Sequence, residues 1–346
     1  MRILIVKRSG LGSVVRLAYV LPALAAKYPG ARISWLTKEP ADQLLVENPF
    51  IASIASIRQG LVALRSERFD LALSMSENTP MLEALASLKV TKVLGMQINN
   101  GVRTYCARSA PWFDMGTYSR FGKSRADYQK RTNQRPYHSF IEEIVEATIE
   151  HPSFFLSRAA VELANPYNSA FFNIGIATGS APTWPSKQLP VPECINLCRA
   201  LLGRRVQGRA VCLHLLGGVD EHQRHEAIRL SVSSDRVVYE RSGLSLQTFA
   251  ARIGTLDYVI AADSLPLHLA ISQGVKNLSY YSATSAAEIG TFGTGVKITS
   301  TAPDYCSYHP RADNRTITAA RIVTAFDQHL SNSIEALDVA AAPRAA

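Results

Sequence analysis

At 346 residues the chain is long for one hydrophobic core and comfortable for two domains of roughly 150 residues each. A hydrophobic share of 47% against 19% charged excludes a disordered chain, and no apolar run approaches the roughly 18 to 20 residues that span a bilayer. The net charge of +9 points to an anionic partner, although a generally basic soluble surface would carry the same charge.

The densest basic patches, Arg103 to Arg108 and Arg120 to Arg135, carry no nucleic-acid motif, so no nucleic acid is expected. Phosphorylated small molecules or an anionic membrane surface fit the charge instead. The opening MRILIVKRSG is too short in its apolar stretch for a secretory signal and reads as a buried strand. The expected location is therefore cytoplasmic, with any membrane contact peripheral and at the inner face. Five scattered cysteines without a CxxC pair favour reduced thiols, and Cys194 and Cys198, four apart on a predicted helix, suit core packing better than a metal.

In chain order, Ile3 to Lys7 reads as a strand, followed by the turn SGLGS and a helix from Val14 to Lys27. Arg32 to Thr37 is the next strand, Ala41 to Glu47 a helix, Ser53 to Ile57 a short strand and Leu61 to Glu67 a helix. A strand at Leu71 to Met75, a helix at Thr79 to Leu88 and a strand near Val93 complete the first series. Residues 97 to 136, rich in Arg, Tyr, Gly and Asn, read as long loops with one short helix, and as a candidate acceptor-binding region. A helix resumes from Tyr137 to Ile149.

The alternation restarts with a strand at Phe171 to Ala177, a helix at Cys194 to Leu202 and a strand at Ala210 to Leu215. Then come a helix (Asp220 to Leu230), a strand (Arg236 to Tyr239) and a helix (Leu246 to Ile253). A strand (Tyr258 to Ala261), a helix (Pro266 to Gln273) and a strand (Asn277 to Tyr281) follow. A last helix, 317–330, precedes a tail, 331–346, expected to be disordered. Such alternation predicts an α/β chain with two doubly wound parallel domains, 1–165 and 166–316, facing across a cleft where ligands bind at the strand ends.

Four segments lie where that chemistry would be. SGLGS, with Gly12 and Ser13, closes the first strand and serves equally as a ligand-approaching turn or a structural one. ATGSAPTWPSKQLP offers Thr178, Gly179 and Ser180 as donors and Lys187 as a cation for a diphosphate, or else a surface loop with a solvated lysine. In LLGGVDEHQR, Glu221 would accept from ribose hydroxyls, unless it is an ordinary acidic residue in a helix first turn. AADSLPLHLA sets Asp263, Ser264 and Leu265 at a strand end and helix start, with His268 one turn in, which is where a phosphate would be held.

The order and spacing of these segments resemble glycosyltransferase family 9, which includes the ADP-heptose lipopolysaccharide heptosyltransferases. MRILIVKRSGLGSVVRLAYVLPALAAKYPGARISWLT is similar to the family's N-terminal signature, TGSAPTWPSK, LGGVDE and DSLPLHLAISQG to its donor-site segments, and SATSAAEIGTFGTG to a family loop. The resemblance runs from Met1 to about Gly295. It implies a GT-B architecture of two Rossmann-like domains, acceptor on the first and nucleotide sugar on the second. It also implies inverting, metal-independent transfer of a sugar, a heptose from an ADP-linked donor, with no cofactor. Thr178, Ser180 and Lys187 would then contact the diphosphate, Glu221 the ribose, and Asp263, Ser264 and His268 the phosphate and sugar. The chain has no DxD motif, a common means of presenting a nucleotide-bound metal.

One position departs from the family. An aspartate that acts as general base follows the glycine of the N-terminal turn, and here that place is Ser13, whose hydroxyl has no useful basicity near neutral pH. Glu77, after the strand Leu71 to Met75, is the first replacement candidate, with Asp114 and His138 behind it. An acceptor that supplies its own base would also account for Ser13, as would a chain that binds a nucleotide sugar without transferring it. A nucleotide-sugar epimerase shares the architecture and is a third functional class. The acceptor is open between an anionic glycolipid, a natural product and a protein.

Overall fold

The computed structural model describes residues 1–8, 10–58, 60–180, 184–241 and 243–341, with side chains to 332. In chain order its elements begin with β1 (Arg2–Val6), α1 (Leu11–Ala18), α2 (Val20–Lys27), β2 (Arg32–Thr37), a 3-10 helix (Ala41–Leu44) and β3 (Ile51–Ser56). They continue with α3 (Leu61–Arg65), β4 (Arg68–Ser74), α4 (Thr79–Ala86), β5 (Lys89–Asn99), β6 (Val102–Tyr105), α5 (Ala110–Phe113), α6 (Lys123–Thr132), α7 (Tyr137–Val145) and α8 (Arg158–Leu163). Then follow β7 (Phe171–Ala177), α9 (Val191–Leu202), β8 (Arg205–Val206), β9 (Arg209–Leu216), α10 (His222–Val232), β10 (Val237–Tyr239) and α11 (Leu246–Ile253). The last are β11 (Tyr258–Ala262), α12 (Leu265–Ser272), β12 (Lys276–Tyr281), β13 (Gly295–Thr299) and α13 (Ala319–Ala341).

The chain divides into two compact units. The first holds Met1–Asn165, Leu244–Gly254 and Ala287–Gly290, and the second Pro166–Gly243, Thr255–Ala286 and Thr291–Ala346. Thus α11 and 287–290 lie with the first unit, although the sequence places them inside the span 166–316.

The first unit's sheet runs β3-β2-β1-β4-β5-β6, parallel except for β6. Ile5 of β1 pairs with Trp35 on one side and Leu73 on the other. Ile3, Leu4, Ile5 and Val6 are all fully buried, as a strand covered on both faces requires. Leu4, Val6, Leu36 and Ala72 from the strands pack with Met81 and Leu85 of α4. The second sheet runs β10-β9-β7-β11-β12-β13 in parallel, with β8 antiparallel on β9. Ile174 of β7 pairs with Leu213 and Tyr258. Its core joins these strands to Cys194, Leu197, Cys198 and Leu201 of α9, spaced along one helical face, and to Ile322 and Phe326 of α13. Burial raises the Cys194 thiol pKa and pushes that of Cys198 to about 12, so both thiols behave as core side chains.

Four expectations are corrected. The helix expected from Val14 to Lys27 starts at Leu11 and is two helices broken at Tyr19. Pro22 lacks an N–H and crowds the carbonyl of Ala18, where α1 ends. Residues 97–136 are largely ordered: β5 runs on to Asn99 and turns through Asn100 and Gly101, both at positive φ, into β6. The edge strand β13 and the short helix α8 were not expected from the sequence. Finally, α13 begins at Ala319 and continues to Ala341 rather than stopping at Leu330, because its alanine-rich end favours helix over an open chain. Residues 342–346 of the expected tail lie outside the described residues.

Candidate functional site

In each sheet the strand order reverses beside the first strand, which places a crevice at the carboxyl end of β1 next to β4 in one unit, and of β7 next to β11 in the other. In the second unit β7 delivers Thr178, Gly179 and Ser180, β9 delivers Gly217 and Gly218, and β11 delivers Asp263 and Ser264.

The centre of this group is Asp263. Lys187 Nζ donates to its backbone carbonyl at 2.9 Å and to its carboxylate Oδ2 at 2.8 Å, while His268 Nε2 lies 3.1 Å from Oδ1. The Lys187 and Asp263 side chains are 14% and 17% exposed, so the ion pair is sheltered but reachable. Lys187 Nζ also lies 5.2 Å from the centroid of Trp184. An ammonium has three N–H donors, and Asp263 engages two of them. Ser264 is the N-cap residue of α12, in extended conformation and without a side-chain cap bond, and Leu265 is the helix's first residue. The first amides of α12 thus face the end of β11 and carry the partial positive charge of a helix start.

Glu221 reaches the same strand ends from the 3-10 turn Val219–Glu221. Its Oε2 accepts from the Gly218 N–H at 2.8 Å, and its side chain lies across Gly179. A Cβ on Gly179 would stand 2.3 Å from Glu221 Cγ, so only glycine leaves room for this carboxylate. Ser180 Oγ donates to the Trp184 carbonyl, and its own carbonyl accepts from Gln188 Nε2. These bonds tie Ser180 to Trp184 and Gln188. Ala181, Pro182 and Thr183 lie outside the described residues.

Thr178 differs from expectation. It is 0% exposed and its hydroxyl is engaged by His225 Nε2 at 2.8 Å, so its side chain is not offered to a ligand. Burial, with help from His222 and Arg224, lowers the His225 pKa from 6.5 to about 4 and keeps the ring neutral. His225 was missed in the sequence; its place one helical turn beyond Glu221 was the available signal.

In the first unit, Gly12 and Ser13 lie in the opening turn of α1 rather than in a free loop, and Ser13 N–H donates to the Gly10 carbonyl at 2.7 Å. Gly12, counted among the donor-binding candidates, belongs to the first unit, whereas the other candidates of that group belong to the second. Beside it, Met75 N–H donates to the Val6 carbonyl and Lys7 Nζ to the Met75 carbonyl at 2.8 Å, tying the ends of β1 and β4 together. Glu77 follows two residues on. Burial raises its pKa above the usual carboxylate range, against the pull of Lys130, Lys7 and Arg103. Gly116 lets this carboxylate in, since a Cβ there would stand 2.4 Å from Glu77 Oε1.

Asp114 is committed elsewhere: Tyr105 Oη donates to Oδ1 at 2.7 Å and Arg120 to Oδ2 at 2.9 Å. Both of its carboxylate oxygens are thus already engaged within the first unit. His138, half-buried, is the second residue of α7. Lys7 was also missed as a site residue. Burial, then Arg16, lower its pKa to about 8, with Glu77 opposing. Among the described residues no group of three or more His, Cys, Asp and Glu could hold a metal ion, and no helix is long and apolar enough to cross a membrane.

Residues 199–316 match the family model for glycosyltransferase family 9 (heptosyltransferase), which bears out the resemblance read from the sequence, although over a shorter span. No curated protein matches the chain. Among solved structures, the glycosyl transferase family 9 protein from Veillonella parvula DSM 2008 superimposes with a TM-score of 0.75 at 14% identity, covering 96% of this chain and 97% of that one. The E. coli ADP-heptose LPS heptosyltransferase II gives 0.66 at 16% identity, with 96% and 99% covered. E. coli heptosyltransferase WaaC with ADP gives 0.64 at 16%, with 95% and 100% covered. At these identities the likeness is one of fold, and the chain has the α/β GT-B architecture of two Rossmann-like, doubly wound sheets.

Proposed function

We propose that the chain is an inverting glycosyltransferase that moves a sugar, a heptose in the simplest reading, from an ADP-linked donor to an acceptor hydroxyl without a metal. The observation that carries this reading is the cluster of Lys187, Asp263 and His268 at the reversal point of the second sheet, beside the α12 N-terminus. It is supported by the family match over 199–316 and by the fold shared with proteins named for ADP and ADP-heptose.

In this mechanism the diphosphate lies against the first amides of α12 and takes the third N–H of Lys187. Glu221 accepts from the ribose hydroxyls, and Asp263 holds Lys187 and His268 in place. The acceptor oxygen attacks the anomeric carbon as its bond to the diphosphate breaks, and the charge that develops on the leaving oxygen falls on Lys187 and the helix dipole. Glu77 takes the acceptor proton, because a carboxylate with a raised pKa is a stronger base than an ordinary one. The acceptor is an anionic molecule, in keeping with the basic residues of the first unit.

A second reading is favoured by Ser13: a chain that binds the nucleotide sugar and does not transfer it. A thermal-shift panel of ADP, UDP, GDP and dTDP, followed by ADP-heptose with candidate acceptors, separates the two. Selective stabilisation by ADP with product formation supports transfer. Stabilisation with neither transfer nor hydrolysis supports the binding protein, and no stabilisation by any nucleotide removes both.

A further inference from the structure

Residues 102–135 hold eight Lys and Arg against two Asp, a net +6 out of the whole chain's +9. The middle of this segment is open to solvent: apart from Ser119, every residue from Thr117 to Arg125 is exposed. On α6, Arg125, Tyr128 and Arg131 recur every three residues along one exposed face, while Ala126 is buried on the other. Three aromatic rings stand out from the same stretch, Tyr118 at 41%, Phe121 at 54% and Tyr128 at 56% exposure. Guanidinium groups lie over them: Arg103 over Tyr118 at 4.0 Å, Arg120 over Phe121 at 4.9 Å and Arg125 over Tyr128 at 5.8 Å.

We infer that this surface docks the protein on an anionic lipid bilayer. A short helix lying flat with cations along its exposed face, beside aromatic side chains that straddle water and the acyl boundary, has the composition of an interfacial anchor. Single-stranded nucleic acid is the competing anionic partner, but it is bound by aromatic platforms lining a charged groove. Here the rings project singly from a loop and a helix, each already covered by a guanidinium. Phe121, at the exposed approach to α6, offers no hydrogen bond to a base and gains most from an apolar boundary. The inference stands apart from sugar transfer, because its readout is binding alone.

The test is sedimentation of the full chain with vesicles of phosphatidylcholine alone and of an equimolar phosphatidylcholine–phosphatidylglycerol mixture. Binding is expected only with phosphatidylglycerol and should weaken as salt is raised. Arg125→Glu with Arg131→Glu should lower the partition coefficient by about 30-fold or more, from the loss of two cations at the surface. Phe121→Ser with Tyr128→Ser should weaken binding at high salt as well. Lys89→Glu with Lys92→Glu, which makes the same charge change on β5, serves as the control. An equal loss in the control would reduce the effect to net charge and overturn the proposal. So would equal binding to both vesicles, or binding to a single-stranded oligonucleotide in the absence of vesicle binding.

Discussion

Lys187 grips Asp263 twice, through the backbone carbonyl and through the carboxylate, so this cation is fixed by the residue that follows β11. In the proposed mechanism, removing it deletes a charge-assisted contact to diphosphate and leaves Asp263 as an uncompensated anion beside the phosphate. Lys187→Ala should weaken ADP binding by about 10-fold to 100-fold, read by titration calorimetry. Asp263→Asn should weaken it less, since a neutral amide no longer opposes the phosphate while Lys187 loses only part of its hold. An unchanged affinity in Lys187→Ala would move the diphosphate away from this cluster.

As the proposed base, Glu77 predicts a pH dependence. Its pKa is raised by burial, so the carboxylate able to accept a proton forms only as pH climbs past the usual carboxylate range. The acid limb of kcat/KM should rise through that shifted value. Glu77→Gln should remove the limb and lower kcat/KM by about 100-fold to 10,000-fold. Lys7→Met takes away one of three cations that favour the charged form, and should move the limb to higher pH.

Ser13 sits in the first turn of α1, where a carboxylate would also be favoured by the helix start. Ser13→Asp should therefore be tolerated by the fold and should raise transfer, most visibly in a Glu77→Gln background. If it raises nothing in either background while ADP still binds, the binding-protein reading gains.

His225 predicts acid sensitivity. The ring is neutral in the folded protein down to about pH 4 and takes a proton near 6.5 when exposed. The stability this confers is present in full above pH 6.5 and is lost as pH falls from 6.5 toward 4, a change on the order of 2 to 3 kcal/mol. Urea melts at pH 7 and pH 4.5 should differ by more in the wild type than in His225→Gln.

Most of this architecture could be read from runs such as Arg32–Thr37, Phe171–Ala177 and Leu246–Ile253, because buried parallel strands and amphipathic helices write their periodicity into short windows. Pro22 was legible as a helix breaker and the Asn100-Gly101 pair as a hairpin turn, but each was outweighed by the composition around it. The commitment of Asp114 to Tyr105 and Arg120 was not legible, since it joins residues whose spacing carries no pattern. Thr178 failed for the same reason: its hydroxyl meets a histidine 47 residues away. Glu77 could be placed at a strand end, whereas its environment depends on Lys7 just after β1, Arg103 of β6 and Lys130 of α6.

The course of the chain has a consequence for dissection. It leaves the first unit at Asn165, returns for Leu244–Gly254, and returns again for Ala287–Gly290. In the first of these returns α11 covers α8, where Ala251 packs with Ala160 and Ala164 and Gln247 accepts from the Ser157 N–H. A fragment ending at Asn165 would expose that seam, and a fragment beginning at Pro166 would carry a helix stripped of its packing partner. Neither half is a natural cut, so chimeras that exchange sheets with another protein must graft three separate stretches of polypeptide instead of one.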